Sequence, residues 1–195
     1  MDADPVVLFL LIATGYLLGS ISSAVLVCRA LGRTDPRTDG SRNPGATNVL
    51  RLAGRDAAAL TLAGDVLKGV LAVLLARAIS DDPLIWALAG AGAFYGHLYP
   101  VFFGFRGGKG VATALGALAI ATPWAGLLTA ATWLIVVGVT RISALGALTA
   151  FALAPLYVAL THQDAALVLV TAAVALTLLW RHRENIRNLM AGTET

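Results

Sequence analysis

Seven apolar runs, at residues 6–28, 57–79, 84–103, 111–122, 124–140, 143–161 and 165–180, alternate with polar connections that are short apart from 29–56. The runs are continuous. A membrane barrel would show apolar and polar residues alternating with a period of two, so helices are the expected element. A helix needs about 20 apolar residues to cross a hydrocarbon layer about 30 Å thick. The run 111–122 is too short to cross unaided; the others approach or reach that length. The expected fold is an all-α integral membrane protein, a seven-span helical bundle forming a single domain over residues 1–195.

Composition supports this reading. The chain is 58% hydrophobic and 13% charged, with a mean hydropathy of +0.79. A soluble domain carries about a quarter charged residues, so there is too little polar surface here to cover a water-facing globule. A pI near 9.4 would suggest nucleic acid in a soluble protein, but here the basic residues sit in connections on one side, and no nucleic-acid partner is expected. Arg29, Arg33, Arg37, Arg42, Arg51 and Arg55 fall in the first long connection. Arg106 and Lys109 fall in the next on that side, followed by Arg141 and then Arg181, Arg183 and Arg187. The other side carries Asp2, Asp4, Asp81, Asp82 and Asp164 and no basic residue in its connections. Lysine and arginine mark cytoplasmic loops. The expected topology therefore has a periplasmic N-terminus, a cytoplasmic C-terminus and chemistry facing the cytoplasm. The acidic start "MDADP" lacks the basic region of a cleaved signal, so the first span is expected to be retained. Cys28 is the only cysteine and reads as a small core residue.

The polar connections hold the candidate chemistry. In "GSRNPGATNVLR", residues 40–51, Gly45 and Pro44 favour turns, and such a segment can turn several N–H groups inward as an anion nest. Ser41, Asn43, Thr47 and Asn48 add short polar groups, and Arg51 adds a fork suited to phosphate. In "GHLYPVFFGFRGGKGVATALG", residues 96–116, the glycines Gly107, Gly108 and Gly110 lead into the run beginning at Val111. A helix N-terminus behind a glycine turn favours anions, and Lys109 adds a point charge. The spacing is not that of a Walker A loop. Asp65 and Lys68 lie within the second run, three residues apart on one helix face, and ionisable groups inside spans are functional candidates; a mutually neutralising pair that anchors other elements fits them equally well. His97 is a lone histidine in an apolar run, more simply structural than catalytic. In "RISALG", residues 141–146, Arg141 anchors a helix boundary and Ser143 is a candidate cap for the following helix. The tail "RHRENIRNLMAGTE", residues 181–194, sets His182 and Asn185 on one face, with Ile186 and Leu189 apolar and Glu194 at its end. Spacings for a metal site, a serine nucleophile elbow or a His-x4-Asp pair are absent from the sequence.

These segments, with "GDVLKG" at 64–69, resemble the acyl-phosphate-dependent glycerol-3-phosphate acyltransferases of bacteria, the PlsY family, in the family's order and over nearly the whole chain. The resemblance implies transfer of a fatty acyl group from acyl phosphate to the 1-hydroxyl of glycerol 3-phosphate, giving lysophosphatidic acid and inorganic phosphate, the first acylation step of phospholipid synthesis. It implies a multi-pass protein of the bacterial inner membrane, with no cofactor and no metal, among membrane lipid and functional as a monomer. Ser41, His182 and Asn185 are implied as catalytic. Arg51 and Lys109 are implied as phosphate ligands, and Gly107, Gly108 and Gly110 as the acyl-phosphate loop. Asn43, Gly45, Thr47, Asn48 and Ser143 join them as substrate-binding, and Asp65, Lys68, His97 and Glu194 as supporting residues. Arg42 stands where the family usually has glycine, Ser22 where proline is frequent, and Asn188 where a basic residue is usual.

An acyl phosphate is a mixed anhydride with a good leaving group, so positioning of the acceptor can supply much of the rate. Arg51, Lys109 and loop N–H groups would neutralise charge on the departing phosphate. His182 is the evident side-chain base; a phosphate oxygen of a substrate is the alternative, and a covalent acyl-Ser41 intermediate is open. The competing class is a transporter or channel for a phosphorylated metabolite, which calls for polar groups on both faces.

Overall fold

A computed structural model describes residues 4–194; Met1–Ala3, with Asp2 of the outer acidic set, and Thr195 lie outside the described residues. The apolar runs fold as helices, and two further short helices come from polar segments. In order these are α1 (Pro5–Gly19), α2 (Ser23–Ala30), α3 (Ala46–Ala53), α4 (Arg55–Ile79), α5 (Pro83–Leu98), a 3-10 turn (Val101–Phe103), α6 (Val111–Ala121), α7 (Pro123–Thr140), α8 (Ser143–His162), α9 (Ala165–Arg181) and α10 (Arg183–Met190).

Three starts share one signal. Asp4, Asp82 and Asp164 each cap a helix, accepting from Val6 N–H, Leu84 N–H and Ala166 N–H at 2.8 Å. Pro5 and Pro83 follow two of these caps at the first helical position, where the missing N–H costs nothing. These three acidic residues therefore serve helix N-termini.

The structure departs from the runs in three places. The first run is broken: Ser20–Ser22 separates α1 from α2. The run 84–103 stops being α-helical at Leu98, because Pro100 disfavours helix at Tyr99, which sits at φ −130°. The segment 40–51 is half helix, since α3 begins right after Gly45. Helices long and apolar enough to cross a membrane number four among the described residues: Pro5–Ala30 taken as one, α4, α7 and α8. Joining α9 to α10, bent by 57°, would make five. At 16 residues α5 is shorter, and α6 has 11.

The described residues pack as two compact units, one ending at Ala117 and one beginning at Leu118, so the boundary falls within α6. In the first unit α1 lies along α5 and both reach α4, while α2 and α3 lean on α4. Small residues set these approaches. A Cβ at Gly15 or Gly19 would strike the carbonyls of Ala89 or Ala93, and one at Gly92 or Gly96 would strike those of Ile12 or Tyr16. Each helix thus carries two glycines four residues apart against the other's backbone, the small-residue packing of membrane helices. The same holds between α4 and α6, where Gly69 faces Thr113 O and Gly116 faces Val66 O. In the second unit α8 packs between α7 and α9, and Thr132 Oγ1 and Tyr157 OH, 2.8 Å apart, tie α7 to α8.

Candidate active site

In the first unit two polar segments are clipped together. Arg37 chelates Asp35 through Nε and Nη2, the latter at 2.7 Å, and donates from Nη1 to Phe103 O at 3.0 Å. Arg106 reaches back to Arg37 O at 3.4 Å. The hydrogen bond from Arg37 holds the Asp35 carboxyl below its ordinary value, and Asp35 raises Arg37 in turn. This clip joins the approach to residues 40–51 with the turn leading into Gly107–Gly110.

Within 40–51 the organising residue is Asn48, only 1% exposed. Its Oδ1 accepts from Ser41 N–H at 3.0 Å, and its amide donates to Pro36 O at 3.0 Å and Asp39 O at 3.1 Å. These bonds commit the Asn48 carbonyl and amide to the loop, where Asn48 scaffolds Ser41. Four N–H groups of the segment are likewise engaged within it: Gly40 N–H by Asp39 Oδ1, Ser41 N–H by Asn48, Arg42 N–H by Asp39 O and Gly45 N–H by Asn43 O. What the segment presents instead is side chains. Ser41 and Thr47 are exposed, Asn43 is half-buried against Gly45, and Arg51 is exposed in the last turn of α3.

The glycine turn is packed on the end of α5. Gly108 N–H donates to His97 O at 3.1 Å. A Cβ at Gly107 would press on Leu98 O and Pro100 Cδ, and one at Gly108 on the His97 ring. At Gly110, φ is 82°, and Phe94 and Leu98 fill the space a side chain would need. The glycines are required here for close approach to α5 as well as for the turn. Gly110 O accepts from Ala114 N–H at 2.8 Å, opening α6, so Lys109 stands at that helix's N-terminus. Beneath the turn, Lys68 Nζ lies 2.9 Å and His97 Nδ1 3.5 Å from Asp65 Oδ1, all three buried.

In the second unit His182, 3% exposed, forms the joint between α9 and α10. Its Nδ1 lies 2.8 Å from Leu178 O. A carbonyl only accepts, so Nδ1 carries a proton, and a ring in its neutral form has its lone pair on Nε2. One helical turn on, Asn185 Nδ2 donates to Glu194 Oε1 at 2.6 Å. The carboxylate thereby fixes which end of the Asn185 amide faces away from it. Ser143 is not the cap it was expected to be: it is the first residue of α8, and Ile142 occupies the cap position without a side-chain bond.

A family model described as glycerol-3-phosphate acyltransferase matches residues 9–192. The chain belongs to the glycerol-3-phosphate acyltransferase family. Curated members named glycerol-3-phosphate acyltransferase include one from Halorhodospira halophila, 53% identical over 95% of this chain and 94% of its own length. Another, from Hydrogenovibrio crunogenus, is 55% identical over 94% and 88%. A solved structure of PlsY (YgiH), an integral membrane glycerol 3-phosphate acyltransferase in its glycerol 3-phosphate form, matches at TM-score 0.91 and 35% identity, covering 97% of this chain and 94% of that one. Its lysophosphatidic acid form matches at TM-score 0.88, with the same identity and coverage.

Against the expected site, the fold gathers Ser41, Asn43, Gly45, Thr47, Asn48, Arg51, Gly107, Gly108, Lys109, Gly110, Asp65, Lys68 and His97 in the first unit, and Ser143, His182, Asn185 and Glu194 in the second. Sequence reasoning missed the Arg37 clip, which five other arginines in the same connection hid, and Thr113, an ordinary threonine at the head of an apolar run.

Proposed function

We propose that this chain transfers a fatty acyl group from an acyl phosphate to the 1-hydroxyl of glycerol 3-phosphate, releasing lysophosphatidic acid and inorganic phosphate. The observation that carries this is the end-to-end family match, which runs through every motif from Ser41 to Asn185. The acceptor oxygen attacks the acyl carbon, the bond from that carbon to the phosphate oxygen breaks, and phosphate leaves with the electron pair. Lys109 and the start of α6 receive the charge that grows on the departing phosphate. Arg51 and Ser41 bind the other phosphate and orient the hydroxyl. His182 takes the hydroxyl proton at Nε2, the nitrogen left with a lone pair by the bond to Leu178 O. Asn185, steered by Glu194, positions the acceptor beside it.

Both units act as one acyltransferase domain, and the chain works as a monomer in the bacterial inner membrane. All seven apolar runs cross, with the N-terminus periplasmic and the motifs cytoplasmic; α5 and α6 cross where the bilayer is thinned or the neighbouring turns add length. Support comes from the placement of lysine and arginine and from the all-helical packing. The acyl chain lies against helices or lipid, which is why an enzyme of small polar substrates is built from spans.

The residue roles are tested by kinetics. His182→Gln lowers kcat by about two decades or more with the KM for glycerol 3-phosphate nearly unchanged; a mild loss contradicts the base. Lys109→Ala raises the KM for the acyl donor, and a change confined to the acceptor KM contradicts its assignment.

A further inference from the structure

The buried polar groups of α4 and α5 form a continuous strut. It begins at the break in the first span, where the end of α1 leaves the Ile21 carbonyl outside any helix. Lys68 Nζ donates to Ile21 O at 3.0 Å and pairs with Asp65 Oδ1 at 2.9 Å. Asp65 Oδ1 lies 3.5 Å from His97 Nδ1, and the same nitrogen is 3.3 Å from Thr113 Oγ1 on α6. From His97 the strut reaches the glycine turn twice. The His97 carbonyl accepts Gly108 N–H. The far edge of the ring meets Gly108 directly: a Cβ there would collide with Nε2 and lie 3.2 Å from both Cδ2 and Cε1. Four polar side chains, Asp65, Lys68, His97 and Thr113, are at most 7% exposed along this line.

Such a network is costly to bury. A salt bridge taken out of water gains little net stability, and hydrophobic residues of the same volume would often do as well. Anchoring alone would need only the Lys68–Ile21 bond. It would not need a histidine aimed at the Cα of a glycine in a substrate loop. We infer that His97 is a positioning residue for the acyl donor: its ring, held on the Nδ1 side by Asp65 and Thr113, sets the height of the turn Gly107–Gly110 and so the distance between Lys109, the head of α6 and the donor phosphate. This rests on the reading that the glycine turn binds the donor. The ring acts as a stop against Gly108, so the effect belongs to donor binding and leaves the acceptor and the chemical step alone.

The test uses the full chain in detergent with lipid, measuring KM for acyl phosphate and for glycerol 3-phosphate separately. His97→Asn keeps a polar atom near the position of Nδ1, within reach of Asp65 and Thr113, and removes the far edge of the ring. It raises the donor KM about fivefold or more, with acceptor KM and kcat within about twofold. His97→Gln, which restores a polar atom near Nε2, recovers part of the donor affinity. Gly108→Ala raises the donor KM less in the His97→Asn background than in the parent, because the colliding atoms are gone. A parent-like donor KM in His97→Asn, or equal penalties for Gly108→Ala in both backgrounds, overturns the strut. Lys109→Ala keeps the underlying reading distinct. If Lys109→Ala shifts donor KM and the His97 variants do not, only the strut fails. If neither Lys109→Ala nor Gly108→Ala shifts it, the donor-loop assignment itself fails.

Discussion

Arg42 occupies φ 55°, a region where a side chain is strained and glycine is not. The resemblance had marked this position as one where glycine is usual, and the backbone supplies the reason: Arg42 N–H turns back to Asp39 O at 3.0 Å, which closes the turn that presents Ser41. Arg42→Gly relieves that strain. It raises stability by up to about 1 kcal/mol, read as a higher melting temperature in detergent with kcat preserved; a drop would mean the side chain makes a compensating contact. Asp35 gives a second prediction at this scale. Its carboxyl sits below its ordinary value of 3.8, held there by the hydrogen bond from Arg37. A depressed carboxylate stabilises the fold above that ordinary value and loses its contribution as pH falls through the lower folded one. The gap in melting temperature between parent and Asp35→Asn should therefore be constant from pH 7 down to about 4 and close below that. A gap that widens on acidification contradicts the sign.

Glycine is the deciding residue of the helices too, through space more than through dihedral angle. At Gly19 a Cβ would lie 2.7 Å from the Cα and carbonyl carbon of Ala93, backbone atoms that cannot turn aside. Gly19→Ala should destabilise by about 1–3 kcal/mol. In α7, Gly138 has nothing within 4 Å of its would-be Cβ, so Gly138→Ala should be neutral or mildly stabilising. Equal melting temperatures for the two variants would refute the packing of α1 on α5. The positions of the long helices were legible from continuous apolar runs, since burial and lipid demand the same residues. The break at Ser20–Ser22 was not, because Ile21 sits in an apolar run and its carbonyl is satisfied by Lys68, 47 residues away. Neither was α3: its polar stretch reads as turn until Asn48 is seen to gather the loop before it. Glycines four residues apart mark a small-residue face in each segment, but neither segment alone says which helix that face meets.

For the whole molecule, two kinds of information in the sequence had different fates. The motifs that define the candidate site were legible because their residue types are rare in an apolar chain, and apart from residues 64–69, inside α4, the fold holds them at a helix end or in a turn leading to one. Which atoms do which task was not legible. The tautomer of His182 is set by Leu178 O and the attitude of Asn185 by Glu194, contacts that depend on the joint between α9 and α10. Asp4, Asp82 and Asp164 were legible as part of a charge asymmetry and turn out to cap α1, α5 and α9 as well. Acyl transfer from an acyl phosphate donor is tested most directly by following inorganic phosphate release by the purified chain with palmitoyl phosphate and glycerol 3-phosphate, beside a parallel reaction given palmitoyl-CoA. The expected result is release that requires both substrates, with lysophosphatidic acid formed in equal amount and no turnover of the thioester. Turnover of the thioester, or no product from a folded, lipid-supplemented sample, would contradict it.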